Sequence, residues 1–316
     1  MLDYFKFGRQ WCLSACLGLS LTIATPIFAN DLDVLGQFLE QEFSNDDPIA
    51  KIATQNAAEQ VSAQAAYVGP LLTSQSALIM NSRTGQVLYE KNTRSVRPIA
   101  SISKLVSAMV VLDAKQDMNE PITITEAEID RVKGTSSRLS VGTVATRREL
   151  LHLGLMSSEN RAIHALARTY PGGMPAFLAQ MNQKSRSLGM NNTAFYDPTG
   201  LDSRNVSTAS DLALLVRAAN QYPTIRQYST ANSGQLYTSR GRNESYRNSN
   251  ALVREGTWNI QLQKTGYIRE SGRSMVLHAN VQGQPLIIVL LNSPSSISRV
   301  NDARNIQSWV SMQRPS

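Results

Sequence analysis

Three short polar clusters follow one another along the chain: Ser101-Ile102-Ser103-Lys104, Ser158-Glu159-Asn160 and Lys264-Thr265-Gly266. The first puts a serine at the start of an apolar stretch with a lysine three residues on, and residues three apart share a helix face. A serine hydroxyl is a poor nucleophile until a neighbouring base takes its proton. A lysine amine can serve as that base where burial and a nearby cation lower its pKa, whereas arginine cannot. Lys104 fits this part, and Lys264 is placed to be the second cation. There are only eight lysines in the chain, so the position of each one carries information.

Taken singly, each cluster is weak. Serine is a favoured helix cap, so Ser101 alone reads equally well as a cap. Ser-x-Asn occurs again at Ser203-Arg204-Asn205. Lys264 alone resembles a solvated lysine on an edge strand. Lys-Thr-Gly is rarer, and a strand glycine lets another backbone approach closely. The set gains weight from its order: helix start, helix-to-loop region, then strand.

Other chemistries drop out. Both cysteines, Cys12 and Cys16, fall in the first 29 residues. A mature chain without them has no disulfide, thiol nucleophile or zinc–cysteine site. His152, His164 and His278 form no His-Glu-x-x-His pair, and no Gly-x-Ser-x-Gly elbow is present. No cofactor or metal is expected. The basic residues form no run interleaved with aromatics, so nucleic acid is not an expected partner. A net charge of +7 suits an anionic polymer such as cell wall.

The elements that must position these residues are legible in outline. A hairpin is expected from Ala77–Met80, a turn at Ser82–Gly85, and Gln86–Tyr89. The apolar spacing from Ile102 to Leu112 predicts a helix. Thr146-x-x-Glu149 and Thr208-x-x-Asp211 resemble capping boxes ahead of two more helices. Ile260–Tyr267, Met275–Val281 and Leu286–Leu291 read as strands, with a tight turn at Gln282-Gly283, and a helix is expected over about Ser298–Met312. Strands at both ends with helices between them predict an α+β fold, an antiparallel sheet whose halves come from distant sequence.

Residues 1–29 read as an export signal: Lys6 and Arg9, an uncharged apolar run from Trp11 to Phe28, and a small residue at Ala29. A retained membrane anchor is the alternative, and the apolar run before Cys16 is too short for lipoprotein processing. Loss of Lys6, Arg9 and Asp3 would bring the charge from +7 to +6. Residues 30–66 read as a spacer and 67–316 as one domain.

The flanks of the clusters bear a closer resemblance. Pro98 to Ala114, with the preceding Thr84 to Asn92, resembles the nucleophile region of low-molecular-mass penicillin-binding proteins. The stretches Leu155–Ala162, Asn191–Leu201 and Trp258–Gly266 resemble the D-alanyl-D-alanine endopeptidase branch, and the similarity covers about residues 77–310. It implies a β-lactamase/transpeptidase-like fold, an antiparallel sheet flanked by helices with an inserted helical subdomain. It also implies roles. Ser101 would attack a D-alanyl carbonyl, Lys104 would be the general base, and Ser158 would relay a proton to the leaving amine. Asn160 would bind a substrate amide, and Lys264 would hold the relay hydroxyl and attract a carboxylate bonded by Thr265. The N–H groups of Ser101 and Tyr267, beside Gly266, would form the oxyanion hole.

Class A β-lactamases use a glutamate after the Ser-x-Asn cluster to activate water, whereas no Asp or Glu lies between Asn160 and Asp197 here. Penicillin is therefore expected to acylate Ser101 and stay. The chain ends fifty residues after Gly266, so the extra β-domain and amphipathic anchor of some carboxypeptidases are not expected. The implied partners are peptidoglycan cross-links and β-lactams, with loose membrane or wall association and a periplasmic location. Two alternatives stay open: a DD-carboxypeptidase, and a penicillin-sensing or wall-binding protein with little turnover.

Overall fold

Alternation along three long strands builds the centre of the molecule. Met275, Leu277 and Ala279 face one way with Leu286, Ile288 and Leu290, while Val276, Ile287, Val289 and Leu291 face the other. Successive strand side chains point to opposite faces, so a sheet covered on both sides reads as a nearly continuous apolar run. Each such Leu, Ile, Val or Met side chain, fully buried, contributes about 1.5–3 kcal/mol.

The computed structural model describes residues 69–313, which lie within one compact unit, Ser62–Ser316. The expected export signal and its cleavage site, and the 30–66 spacer, lie outside the described residues. The chain enters the sheet with β1 (Ser76–Asn81) and β2 (Val87–Lys91), passes the short β3 (Arg97–Pro98), and reaches α1 (Lys104–Asp113). Two short strands, β4 (Pro121–Thr123) and β5 (Val144–Thr146), pair ahead of α2 (Arg147–Met156), α3 (Asn160–Arg168) and α4 (Gly173–Ser187). β6 (Val206–Ser207) pairs with β3 before α5 (Ala209–Ala219) and α6 (Pro223–Thr230). A separate hairpin of β7 (Ser233–Tyr237) and β8 (Asn243–Arg247) and a short α7 (Ala251–Glu255) follow. The chain then returns as β9 (Asn259–Ile268), β10 (Gly272–Val281), β11 (Gln284–Ser293) and α8 (Ser296–Met312).

The main sheet has the order β2-β1-β11-β10-β9 and is antiparallel where paired. The expected joining of distant sequence halves is present: β1 pairs with β11, Ser76 opposite Leu291. α8 covers one face and the inserted helices cover the other. The fold is thus α+β, as the sequence implied. The β10–β11 turn uses Gln282 and Gly283 at φ 51° and 77°, the positive values that a tight hairpin requires of both central residues.

Local signals held with two differences. Thr146 and Glu149 make a full capping box. Thr208 accepts from the Asp211 N–H, but the Asp211 carboxylate turns to the Asn192 N–H and the Thr193 hydroxyl, both 2.8 Å away, so that box is half made. The apolar segment after Ser101 does not begin as an α-helix. Ala100–Ser103 is a 3-10 turn, and Ala100 sits at φ 48°.

Candidate active site

The 3-10 turn carrying Ser101 packs against β9, the edge strand of the sheet. Two glycines permit that packing. A Cβ on Gly266 would stand 2.8 Å from the Ile99 carbonyl oxygen and 3.3 Å from the Ser101 nitrogen. A Cβ on Gly200 would fall 1.9 Å from the Ala100 carbonyl oxygen, and Gly200 has φ +86° besides. Both faces of the nucleophile turn are therefore pressed by backbone rather than by side chains.

Lys104 lies fully buried behind the serine. Its Nζ donates to three acceptors at 2.7 Å each: Ser101 Oγ, Asn160 Oδ1 and the Thr199 carbonyl. As an ammonium it satisfies all three. As a neutral amine it keeps two N–H bonds, and if these stay on Asn160 and Thr199 the lone pair faces Ser101. Burial pulls its pKa from 10.5 down to about 7, against the opposing pull of the Asp197 and Glu159 carboxylates. A base poised near neutrality is what proton abstraction from serine requires.

Lys264, also fully buried, donates to Ser158 Oγ at 2.8 Å and to the Thr265 carbonyl at 2.9 Å. Its pKa is held well below the ordinary value, first by burial, then by Lys104 and Arg299. Burial, rather than the second cation expected in Lys264, is what lowers Lys104, and the repulsion between the two is felt at Lys264. Ser158 stands at φ 67° between α2 and α3, a left-handed conformation that is costly for a residue with a Cβ. Thr265 Oγ1 lies 2.7 Å from Ser249 Oγ. The structure therefore brings Ser101, Lys104 and Asn160 into one bonded group, and Ser158 with Lys264 into a second. Tyr267 is half exposed at the strand's end, with the Arg273 guanidinium 3.4 Å from its ring centroid; this stacking is a cation–π contact.

Several positioning residues gave no sequence signal. Asp197 accepts from the backbone N–H groups of Thr199, Gly200, Leu201 and Asp202 and from the side chains of Thr199 and Asn205. That carboxylate folds the loop that presents the Thr199 carbonyl to Lys104. Asn160, expected on a substrate amide, spends its carbonyl on Lys104, and its NH2 donates to Thr135 Oγ1 at 3.3 Å. Arg299 is 6% exposed and donates to the Ser274 carbonyl, across from Gly266 on the neighbouring strand. Its Nε has no hydrogen-bond partner among the described residues. Asp197 lay in a stretch singled out only for its resemblance, and Arg299 lies on α8, whose buried face mixes Arg299 and Asp302 with apolar residues.

Glu159, the carboxylate next to Asn160, accepts from Ser137 Oγ and from the Arg161 N–H. With Asp197 engaged by its loop, both carboxylates nearest Lys104 are tied to structural donors. None of the histidines contacts Ser101: His278 bonds Ser82 and Gln261, His152 stacks on Tyr228, and His164 faces Glu128. No cluster of potential metal ligands occurs among the described residues. A cavity of about 540 Å3 opens beside Asn160 and Thr199, walled by Met174, Leu178, Tyr196 and the 126–132 segment.

A family model described as D-alanyl-D-alanine carboxypeptidase, peptidase family S11, matches residues 59–295. The chain is 43% identical over 240 residues to a D-alanyl-D-alanine endopeptidase of Pseudomonas aeruginosa, covering 76% of this chain and 77% of that protein. It is 42% identical over 245 residues to the Escherichia coli protein of the same description, covering 76% and 78%. The crystal structure of the Streptomyces K15 DD-transpeptidase matches with a TM-score of 0.71 at 28% identity, covering 76% of this chain and 98% of that one.

Proposed function

Because the chain belongs to the D-alanyl-D-alanine carboxypeptidase family of serine peptidases, we propose that it is a DD-endopeptidase hydrolysing D-alanyl–diaminopimelate cross-links in peptidoglycan. The carrying observation is the Lys104 amine, buried, lowered to about 7 and 2.7 Å from Ser101 Oγ. The relatives at 42–43% identity support cross-link cleavage over release of terminal D-alanine, since both are described as endopeptidases.

This geometry supports an acyl-enzyme route. Neutral Lys104 takes the Ser101 proton as Oγ attacks the D-alanyl carbonyl, and the oxyanion is received by the N–H groups of Ser101 and Tyr267. Collapse breaks the C–N bond while Ser158, held by Lys264, hands its proton to the leaving nitrogen and takes in return the proton that Lys104 removed from Ser101. Water then releases the acyl group from Ser101. The carboxylate next to the leaving amine is received by Lys264, Thr265 and the buried Arg299 guanidinium. The peptide on the acyl side enters past Asn160 toward the cavity beside Thr199. β-Lactams, whose amide and carboxylate occupy the same two places, acylate Ser101.

The basic, apolar and small-residue sequence of residues 1–29 supports export to the periplasm. Residues 30–66 then serve as a spacer to a DD-peptidase domain spanning 67–316. Among the described residues no helix is long and apolar enough to cross a membrane.

The test is direct. Purified protein is incubated with cross-linked muropeptide dimers and with pentapeptide monomers, and products are separated chromatographically. Dimers cut to monomers by wild type, and not by Ser101→Ala, is the expected result. Release of D-alanine from monomers with intact dimers would give the carboxypeptidase reading instead.

A further inference from the structure

Beyond Thr265 the sheet edge does not end in open solvent. A groove of about 330 Å3 lies between α7 and the first turns of α8, with Ser249 on its wall. Ser249 Oγ is the 2.7 Å partner of Thr265 Oγ1, so the groove shares a wall residue with the place proposed to receive the carboxylate beside the scissile bond. Arg254, Arg299 and Arg304 line it against one acidic residue, Glu255.

Three features make this groove suited to an anion. Arg299 is buried in the groove's wall and adds its positive charge there. Ser296 and Ile297, the first residues of the seventeen-residue α8, stand on its wall, and a helix N-terminus carries partial positive charge. Arg304 is half exposed and paired with the exposed Glu255 at 3.0 Å. Such a surface pair is weak enough for an incoming carboxylate to compete with it. The volume is far more than one carboxylate needs.

On the footing of the endopeptidase reading, we propose that this groove holds a second carboxylate of the leaving peptide strand, with Arg254 and Arg304 as its specificity-determining cations. A terminal D-alanine has one carboxylate, which is satisfied at Thr265, and nothing further to reach the groove. The leaving strand of a cross-link is an acidic peptide with further carboxylates. The groove thereby favours cross-links over terminal residues without touching the reacting atoms.

The experiment compares kcat/KM of Arg254→Gln/Arg304→Gln and of Glu255→Gln with wild type. Substrates are free-acid dimers, dimers amidated on the leaving strand, and pentapeptide monomers, with the rate of penicillin acylation alongside. The double variant should lose roughly fivefold to twentyfold on free-acid dimers, in the range of rim and interfacial charges. It should change less than twofold on the other three. Glu255→Gln, which frees Arg304, should gain on free-acid dimers, a sign that misfolding cannot imitate. Equal losses on all substrates, or no selective loss, would overturn the groove and leave the endopeptidase reading intact. A wild type that cut only monomers would overturn both.

Discussion

The buried Lys104 amine makes the pH dependence of acylation a quantitative test. With its pKa at about 7 rather than 10.5, the neutral fraction is about one eleventh at pH 6, one half at pH 7 and ten elevenths at pH 8, from simple titration. The protonated form cannot accept the Ser101 proton, so the sign is fixed: acylation rises with pH. Second-order acylation by fluorescent penicillin, followed by stopped gels from pH 5 to 9, should climb about tenfold between pH 6 and 8 and then level. The rising limb is assigned by Glu159→Gln. Glu159 raises the Lys104 pKa, so neutralising it should move the midpoint to lower pH, while glutamine can still accept from Ser137 and Arg161. Lys104→Arg keeps the charge and loses the base, and should cost roughly 10²–10⁴-fold. A rate that climbs tenfold per unit up to pH 9, or a Glu159→Gln midpoint that does not move, would refute the general-base assignment.

Three further outcomes are expected. Lys264→Gln should lower kcat/KM by roughly one to two orders of magnitude, the value of a charged hydrogen bond of ~1.5–3 kcal/mol. The loss should be larger for substrates with a free carboxylate beside the scissile bond than for amidated ones, and equal losses would remove the anion role. Gly200→Ala, which drives a Cβ to 1.9 Å from the Ala100 carbonyl oxygen, should cost about 2–4 kcal/mol and lower Tm by roughly 4–16 °C; an unchanged melt with full penicillin labelling would show that the loop yields. The penicilloyl group should persist on Ser101 for minutes or longer, on the order expected when no base activates water. Nitrocefin turnover without a burst would show that Glu159 or Asp197 is freed to act.

The sequence by itself determined the pieces that obey local rules. The short apolar runs at 77–80, 260–267, 275–281 and 286–291 became strands within one to three residues of their expected ends, because both faces of that sheet are covered. The Thr146–Glu149 box and the Gln282-Gly283 turn are settled by neighbouring residues, so they too were legible. So were Ser101 and Lys104, which are joined by a single turn of backbone. Tertiary structure alone decided what that lysine is. Asn160 and Thr199 are 56 and 95 residues from Lys104, and only their convergence on its Nζ makes an amine that is buried, bonded and near neutral. Asp197 acts by folding a loop, and Arg299 is brought to the back of β9 by a helix on the far side of the sheet. The loop that Asp197 folds is local, but its meeting with Lys104 and the approach of Arg299 to Ser274 lie in no short sequence window, since burial and charge proximity are properties of the packed chain and not of its order.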